Sequence, residues 1–320
     1  MYRLILRRFL LAIPTLFVVS VLSFAVMKAA PGDPVRMYVA GGMSKGSVED
    51  IERIRHNLGL DRPIYIQYIA WLRNTLRGDL GYSLSTRRPV AQVIAEKLPA
   101  SISLMGISFL LSMSIGIGVG MLSAARQYSL FDYVVTVLTF LGNSLPSFWI
   151  ALMLIWLFSV RLGWLPTGHM SSYETTDSPL LDYARHYVLP VTTLSLVSLV
   201  SWVRYQRASM LESLQQDYIR TARAKGLAER VVLIRHAWRN SLVPIVTLIG
   251  FSVANLVSGS YIIETIFSWP GMGQLGFDAI LKRDYPVIMG VTLLSAIFII
   301  FGNLLADLTY LLVNPQIRES

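Results

Sequence analysis

The residue types that perform covalent or metal chemistry are scarce or badly spaced in this sequence. There is no cysteine, which removes disulfides, thiolate metal sites and cysteine nucleophiles. The four histidines, at 56, 169, 186 and 236, are too scattered for ligand spacing. Gly41 and Gly46 have the four-residue gap of a phosphate loop, but Ser47-Val48 follows where a lysine must reach the phosphates, so no ATP site of that kind is expected. Gly116, Gly118 and Gly120 alternate with aliphatics, lack the third glycine of a dinucleotide fingerprint, and read as a close-packing face between helices in lipid. No nucleophile–base pair marks an enzyme.

What remains is a mechanical element. Residues 216–226 read as a short helix, with Asp217 as N-cap, Ala222 and Ala224 as strong helix formers, and Gly226 where a left-handed C-terminal residue is wanted. Tyr218, Thr221, Ala222 and Lys225 share one face and offer a ring, two small side chains and a charge, suited to seating in another protein's groove. Leu227 follows directly. A solvated basic loop would not need a capped helix closed by glycine. A second helix is expected from Glu229 to Asn240, running on toward Pro244.

The elements that must position this helix lie in a membrane. Of 320 residues, 54% are hydrophobic and only 15% charged, against about 25% in soluble chains. Six uncharged stretches stand out: 9–27, 98–125, 133–160, 187–203, 240–263 and 285–306. A bilayer core of roughly 30 Å takes about 17–25 residues of helix. The expectation is an all-α polytopic membrane protein with six transmembrane helices. A soluble or nucleic-acid-binding role is excluded, and the net charge of +9 reads as a topology signal instead. Arg3, Arg7 and Arg8 precede the first stretch, Arg126 follows the second, and 204–239 holds eight Lys/Arg against three acids. The loops 161–186 and 264–284 each hold two basic residues against three acids. Both termini and the 204–241 loop therefore fall on the cytoplasmic side. A cleaved leader at the start would spoil this alternation, and the 19-residue first stretch exceeds a leader's apolar core of about 7–15 residues. Lys28, Asp132 and Glu264 are expected at span ends, with no charge at a span centre, which speaks against a proton relay, an ion-coupled secondary transporter or an intramembrane hydrolase.

Four segments follow: 1–28, the amino-terminal start and first span; 29–97, an extracytoplasmic insert; 98–313, a five-helix core carrying the 204–241 loop; and 314–320, a cytoplasmic tail. The insert leaves the membrane at Ala30-Pro31-Gly32-Asp33-Pro34. It contains two amphipathic helices, one from Ser47 along Val48, Ile51, Ile54 and Leu58, and one after Asp61-Arg62-Pro63 with Ile64, Tyr68, Trp71, Leu72 and Leu76 on a face. They form a small cap, either packing on the spans or docking a partner. In 266–277, Pro270, Gly271, Gly273 and Gly276 prevent one continuous helix, while Trp269 and Met272 are too apolar for free water. This segment either folds back toward a pore mouth, making Trp269, Pro270, Gly271, Met272 and Gly273 an outer gate or a binding-protein contact, or is anchored at the interface by Trp269.

At this point the sequence resembles the membrane subunits of ABC importers, whose inner loop carries the EAA motif. Arg220-Thr221-Ala222-Arg223-Ala224-Lys225-Gly226 lies on it, with Arg220 for the leading glutamate, Thr221 for the first alanine, and the proline later, at Pro244. These departures look like the variant of the peptide, opine and nickel branch, as does Arg235-His236-Ala237-Trp238-Arg239-Asn240-Ser241-Leu242-Val243-Pro244. Gly59-Leu60-Asp61-Arg62-Pro63, Gly78-Asp79-Leu80-Gly81, Leu162-Gly163-Trp164-Leu165-Pro166 and Glu264-Thr265-Ile266-Phe267-Ser268-Trp269-Pro270-Gly271-Met272-Gly273 are similar to the first permease of oligopeptide and dipeptide systems. The resemblance implies a type I importer in a bacterial cytoplasmic membrane. Two homologous permeases form the pore, two cytoplasmic ATPases hold the ATP and Mg, and an external binding protein delivers substrate. This chain would bind no cofactor. It would receive force through Asp217, Tyr218, Thr221, Ala222, Lys225, Gly226 and Leu227. Peptides are the expected substrate, with nickel, opines and glutathione as alternatives in the same machinery.

Overall fold

Proline and glycine decide where the apolar stretches become separate helices. A computed structural model describes residues 2–29, 52–53, 55–56, 61–172 and 178–313. Among these there is no strand, only one isolated antiparallel bridge between Tyr82 and Pro89. The helices are α1 (Tyr2–Ala29), α2 (Ile64–Leu76), α3 (Val90–Ala125), α4 (Leu130–Ser144) and α5 (Ser147–Leu154), which runs on as a π-helical stretch Ile155–Arg161. Then come α6 (Pro179–Leu214), α7 (Asp217–Ala224) and α8, made of Glu229–Val231, a π-helical stretch Val232–Trp238 and Arg239–Ser241. Last are α9 (Val243–Ser258), α10 (Tyr261–Ile266), α11 (Met272–Leu281) and α12 (Tyr285–Val313). The expected helix at 47–58, the exit at 30–34, the glycine pair at 41 and 46 and the tail at 314–320 lie wholly or mostly outside the described residues.

Four helical segments are long and apolar enough to cross a membrane among the described residues: Leu10–Ala29, Val90–Ala125, Pro179–Leu214 and Tyr285–Leu305. The expected third span is not one rod. Leu130–Ser144 and Ser147–Arg161 meet at 102°, and counting them as one broken span gives five. The cause is Pro146, which disfavours helix at Leu145 and has no N–H to continue it; Leu145 is extended, with ψ 130°. The expected stretch 240–263 also divides, because Gly259 takes a φ of +68° between α9 and α10. α9 itself has 16 residues, and α8 runs into it through Leu242, whose backbone stays helical and whose carbonyl accepts from Val246 N–H at 3.1 Å. Conversely, the expected 17-residue stretch 187–203 is the middle of the 36-residue α6, and the second span starts eight residues early, at Val90. At 1.5 Å per residue each of these 36-residue helices is about 54 Å long, so both extend beyond an apolar core of about 30 Å.

The chain divides into two compact units, Met1–Pro99 with Leu275–Phe298, and Ala100–Gln274 with Ile299–Ser320. In the first, α2 lies on α1 through its middle. Phe24 meets Tyr68 edge-on at 5.4 Å and Trp71 at 5.8 Å, and the Ser20 and Tyr68 hydroxyls are 2.8 Å apart. The face expected for α2 is therefore only partly covered: Ile64 and Leu76, at its two ends, are 61% and 80% exposed. Asp284, fully buried, gathers the turn after α2. Its carboxylate accepts from the Ser83 and Ser85 hydroxyls, at 2.5 and 2.7 Å, and from the Leu84 and Ser85 N–H groups, both at 3.0 Å.

The second unit is built on the close approach of α3 and α6. A Cβ at Gly116 would collide with Trp202, and one at Gly120 would lie 2.7 Å from the Val203 carbonyl and 2.8 Å from Gln206 Cβ. The glycine alternation is thus a packing face at these two positions, while Gly118 meets nothing within 4 Å. α4 and α5 pack against α6, as do α8, α9 and α10.

Candidate functional site

α7 is short, with eight residues and few partners of its own, so its place is set by packing. Ile219 and Ala222, three apart and therefore on one side, are buried among Ala124 of α3, Met210 of α6, and Val232 and Ala237 of α8. Met121, Leu211, Leu214, Leu233 and Trp238 close the cluster. Its carboxyl end is a Schellman cap: Gly226 N–H donates to Arg223 O at 2.9 Å and Leu227 N–H to Ala222 O at 3.4 Å, with Gly226 at φ +75°. That is the left-handed residue the sequence requires there.

Two expectations about this helix need correction. Asp217 is not the N-cap. That position belongs to Gln216, whose side chain makes no capping bond, and Asp217 is the first helical residue, its exposed carboxylate 3.3 Å from Arg220. Nor do Tyr218, Thr221, Ala222 and Lys225 form one outward face, because Ala222 belongs to the buried stripe with Ile219. Tyr218, 39% exposed, is fastened at its hydroxyl to Ser213, 2.7 Å away. The surface left open includes Asp217, Arg220, Thr221, Lys225, Gly226 and Leu227. Behind it, Arg223 and Glu229 pair at 2.6 Å across the 225–228 turn; the guanidinium holds the Glu229 carboxyl below its usual range.

Asp132, expected only to mark a span end, and Arg207, not singled out in the sequence, brace this end. Asp132, buried, accepts two bonds from Arg207, 2.7 Å from Nε and 2.8 Å from Nη2. It also accepts from the Ser123 hydroxyl and the Tyr128 N–H. One carboxylate thus joins the ends of α3, α4 and α6 beside the α7 cluster.

At the far end of the same two long helices, Glu264 of α10 is fully buried. Instead of marking a span end, its carboxylate accepts from the Ser101 hydroxyl at 2.8 Å, Gln274 N–H at 2.9 Å and Ser260 N–H at 3.3 Å, with Gly273 N–H also directed at it. Ser101 in turn accepts from Met272 N–H at 2.7 Å. Gly259, Gly271 and Gly273 are required by space as much as by conformation: a Cβ at any of them would overlap the Glu264 carboxylate or the main chain beside it. Trp269 is fully buried, with Nε1 donating to Ala100 O at 2.9 Å and its ring edge-on to Tyr187 at 4.6 Å. Interfacial anchoring by Trp269 is therefore excluded in this conformation. Trp269, Gly271 and Met272 are buried and Pro270 and Gly273 half-buried, so the five residues expected at an outer gate form a folded interior.

A Ser–His–Asp grouping also lies here. Ser172 donates to Asp182 at 2.8 Å and sits 3.1 Å from His186 Nε2, while His186 Nδ1 faces the carbonyls of Gly168 and His169 at 2.8 and 3.1 Å. Hydroxyl and carboxylate share one ring nitrogen, unlike a catalytic triad, in which the carboxylate orients the other. The group ties 168–172 to α6.

Apolar helices of membrane length, with a short capped helix packed on two of them, fit a membrane transport component, and the comparisons name its family. Residues 1–105 match the N-terminal family model of binding-protein-dependent transport system membrane components, and residues 116–319 match the model described as "binding-protein-dependent transport system inner membrane component". The chain is 42% identical over 315 residues to the oligopeptide transport system permease protein AppB of Bacillus subtilis, with 98% of each chain covered. It is 40% identical to the di/tripeptide transport system permease protein DppB of Pseudomonas aeruginosa, again with 98% of each covered, and 41% identical to a putative peptide permease protein of Brucella suis, with 99% covered. The chain belongs to the binding-protein-dependent transport permeases and is the multi-pass membrane component of an ABC importer.

Proposed function

We propose that this permease imports short peptides and couples their passage to ATP hydrolysis on partner subunits through α7. The peptide assignment is supported by the printed names of relatives that span the whole chain. The coupling assignment is carried by one observation: the inner side of α7 is packed on Ala124 of α3 and Met210 of α6, while its outer side is open. α3 and α6 run from that cluster to the Glu264 turn, where Ser101 bonds Glu264 and Val191 packs with Trp269. From Ser101 to Ala124 is about 35 Å of helix. Motion of α7 with two cytoplasmic ATPases would therefore tilt both rods and carry the distant turn with them, a two-state change of packed elements. The chain itself supplies no catalytic group. A second homologous permease completes the pore and an external binding protein delivers the peptide. Both termini and α7 face the cytoplasm, as the excess of Lys and Arg in 204–239 indicates.

The test is Gly226→Val in the assembled transporter. A Cβ there meets open space, so the harm is confined to a left-handed backbone that a β-branched side chain resists, at roughly 1–2 kcal/mol. Membrane insertion should persist while peptide uptake and peptide-stimulated ATPase activity fall together. Unchanged uptake would sink the assignment of α7 as the coupling element.

A further inference from the structure

α6 carries two exposed hydroxyls, Ser198 and Ser201, on one face near the middle of its length. They line a cleft of about 210 Å³ whose other walls include Met105 and Ser108 of α3, Trp202 of α6 and Ser252 of α9. Among the described residues no charged side chain lines it. By helix rise, Ser198 stands about 24 Å from the Leu214 end of α6 and about 28 Å from Pro179, which is mid-depth in a bilayer. A hydroxyl facing lipid at that depth finds a partner only in the carbonyls of its own helix, so exposed polar groups there favour a neighbour or a wet cavity.

The hydrogen-bond capacity of the cleft narrows the choice. Ser108 and Ser252 give their protons to Leu104 O and Leu248 O within their own helices, at 2.7 and 2.9 Å. Each keeps a lone pair as an acceptor. Ser198 and Ser201 rotate to donate or accept. Trp202 and Met105 add polarizable apolar surface that adapts to shape. Neutral acceptors, adaptable hydroxyls and an indole suit a main chain that alternates N–H and C=O and carries variable side chains. A metal cation would need carboxylates or imidazoles instead.

We infer that this cleft is a passage subsite for the peptide main chain, touched by substrate at Ser198 and Ser201 during transport. The inference rests on the peptide-importer reading above. Because the chain has no cysteine of its own, Ser198→Cys and Ser201→Cys each place a single reporter in this subunit, read as labelling of its own band in the assembled transporter. Both should react with a water-soluble maleimide during turnover, and excess trialanine with binding protein and ATP should slow labelling at least threefold. The double variant Ser198→Leu/Ser201→Leu should lose at least tenfold in trialanine uptake while keeping assembly and basal ATPase activity. If the unaltered complex imports trialanine yet both cysteines stay inert, or label at the same rate with and without peptide, or crosslink to the second permease instead, the subsite is overturned. Failure of the unaltered, assembled complex to import any peptide would overturn the parent reading.

Discussion

The two ends of the second unit are held by opposite means. Around α7 the inner side is held mainly by apolar contacts: Ile219 and Ala222 lie against alanine, methionine and valine, Tyr218 adds a hydroxyl bond to Ser213, and much of the remaining surface is open. Around Glu264 they are directed, with a buried carboxylate collecting a hydroxyl and main-chain N–H groups from three separate stretches of chain. Dispersion contacts tolerate small sliding, whereas hydrogen bonds lose strength steeply with angle. In the proposed coupling, the α7 end would yield to a push and the Glu264 turn would travel as one piece. Both are anchored on the same two helices, which would let a push at one end be read at the other.

The largest expected effect comes from breaking the directed end. Glu264→Leu leaves the Ser101 hydroxyl and the N–H groups of Ser260 and Gln274 buried without an acceptor, at about 1–3 kcal/mol each. The purified transporter should lose several degrees of thermal stability or fail to accumulate. Glu264→Gln keeps one carbonyl acceptor and should recover part of the loss. Equal melting of the two variants would show that the carboxylate's bonds do not hold the turn.

The brace beside α7 is intermediate, because Arg207 is 28% exposed at its side chain while Asp132 is 4%. Arg207→Met strands a buried carboxylate that retains only the Ser123 hydroxyl and Tyr128 N–H. Removing one member of a fully buried pair costs about 3–5 kcal/mol, and partial exposure here brings the expectation to about 2 kcal/mol. The double variant Asp132→Leu/Arg207→Met removes the stranded charge and should melt closer to the unaltered protein than Arg207→Met alone. If the double variant is the worse of the two, Arg207 acts by packing and not by pairing.

The legible part of the molecule was its local physics. Long uncharged stretches announce the helices, and alanines followed by Gly226 announce α7 and its cap, because composition and backbone preference act within a few residues. The π-helical runs and the two corrected spans show the limit. Pro146 and Gly259-Ser260 are visible breakers inside stretches that average as apolar, and the average conceals them. The carboxylate networks were not legible, since Glu264 meets a serine 163 positions away and Asp132 an arginine 75 positions away. The nearest signal was spacing: an acid inside an apolar stretch, followed by Gly271-Met272-Gly273, asks what its charge is doing. Burial of Ala222 was hidden for another reason. A small residue on a short helix suits a partner's groove and the chain's own core equally well.

The smallest effect separates surface charge from packing within the α7 end itself. Arg223 and Glu229 are about half exposed, 46% and 54%, so their pairing is worth only about 0.2–1 kcal/mol. The Arg223 hydrogen bond holds the Glu229 carboxyl below its usual range. With the folded pKa depressed, the stabilisation is complete above the unfolded value of about 4.3 and disappears as pH falls through the folded one. Glu229→Gln should therefore lower the melting temperature by about 1–2 °C at pH 7, with the difference closing in acid below about pH 4. Thermal melts of both proteins in detergent across that range measure it. A gap that persists at low pH would assign the effect to the shape of the 225–228 turn, leaving the open face of α7 stabilised by apolar packing alone.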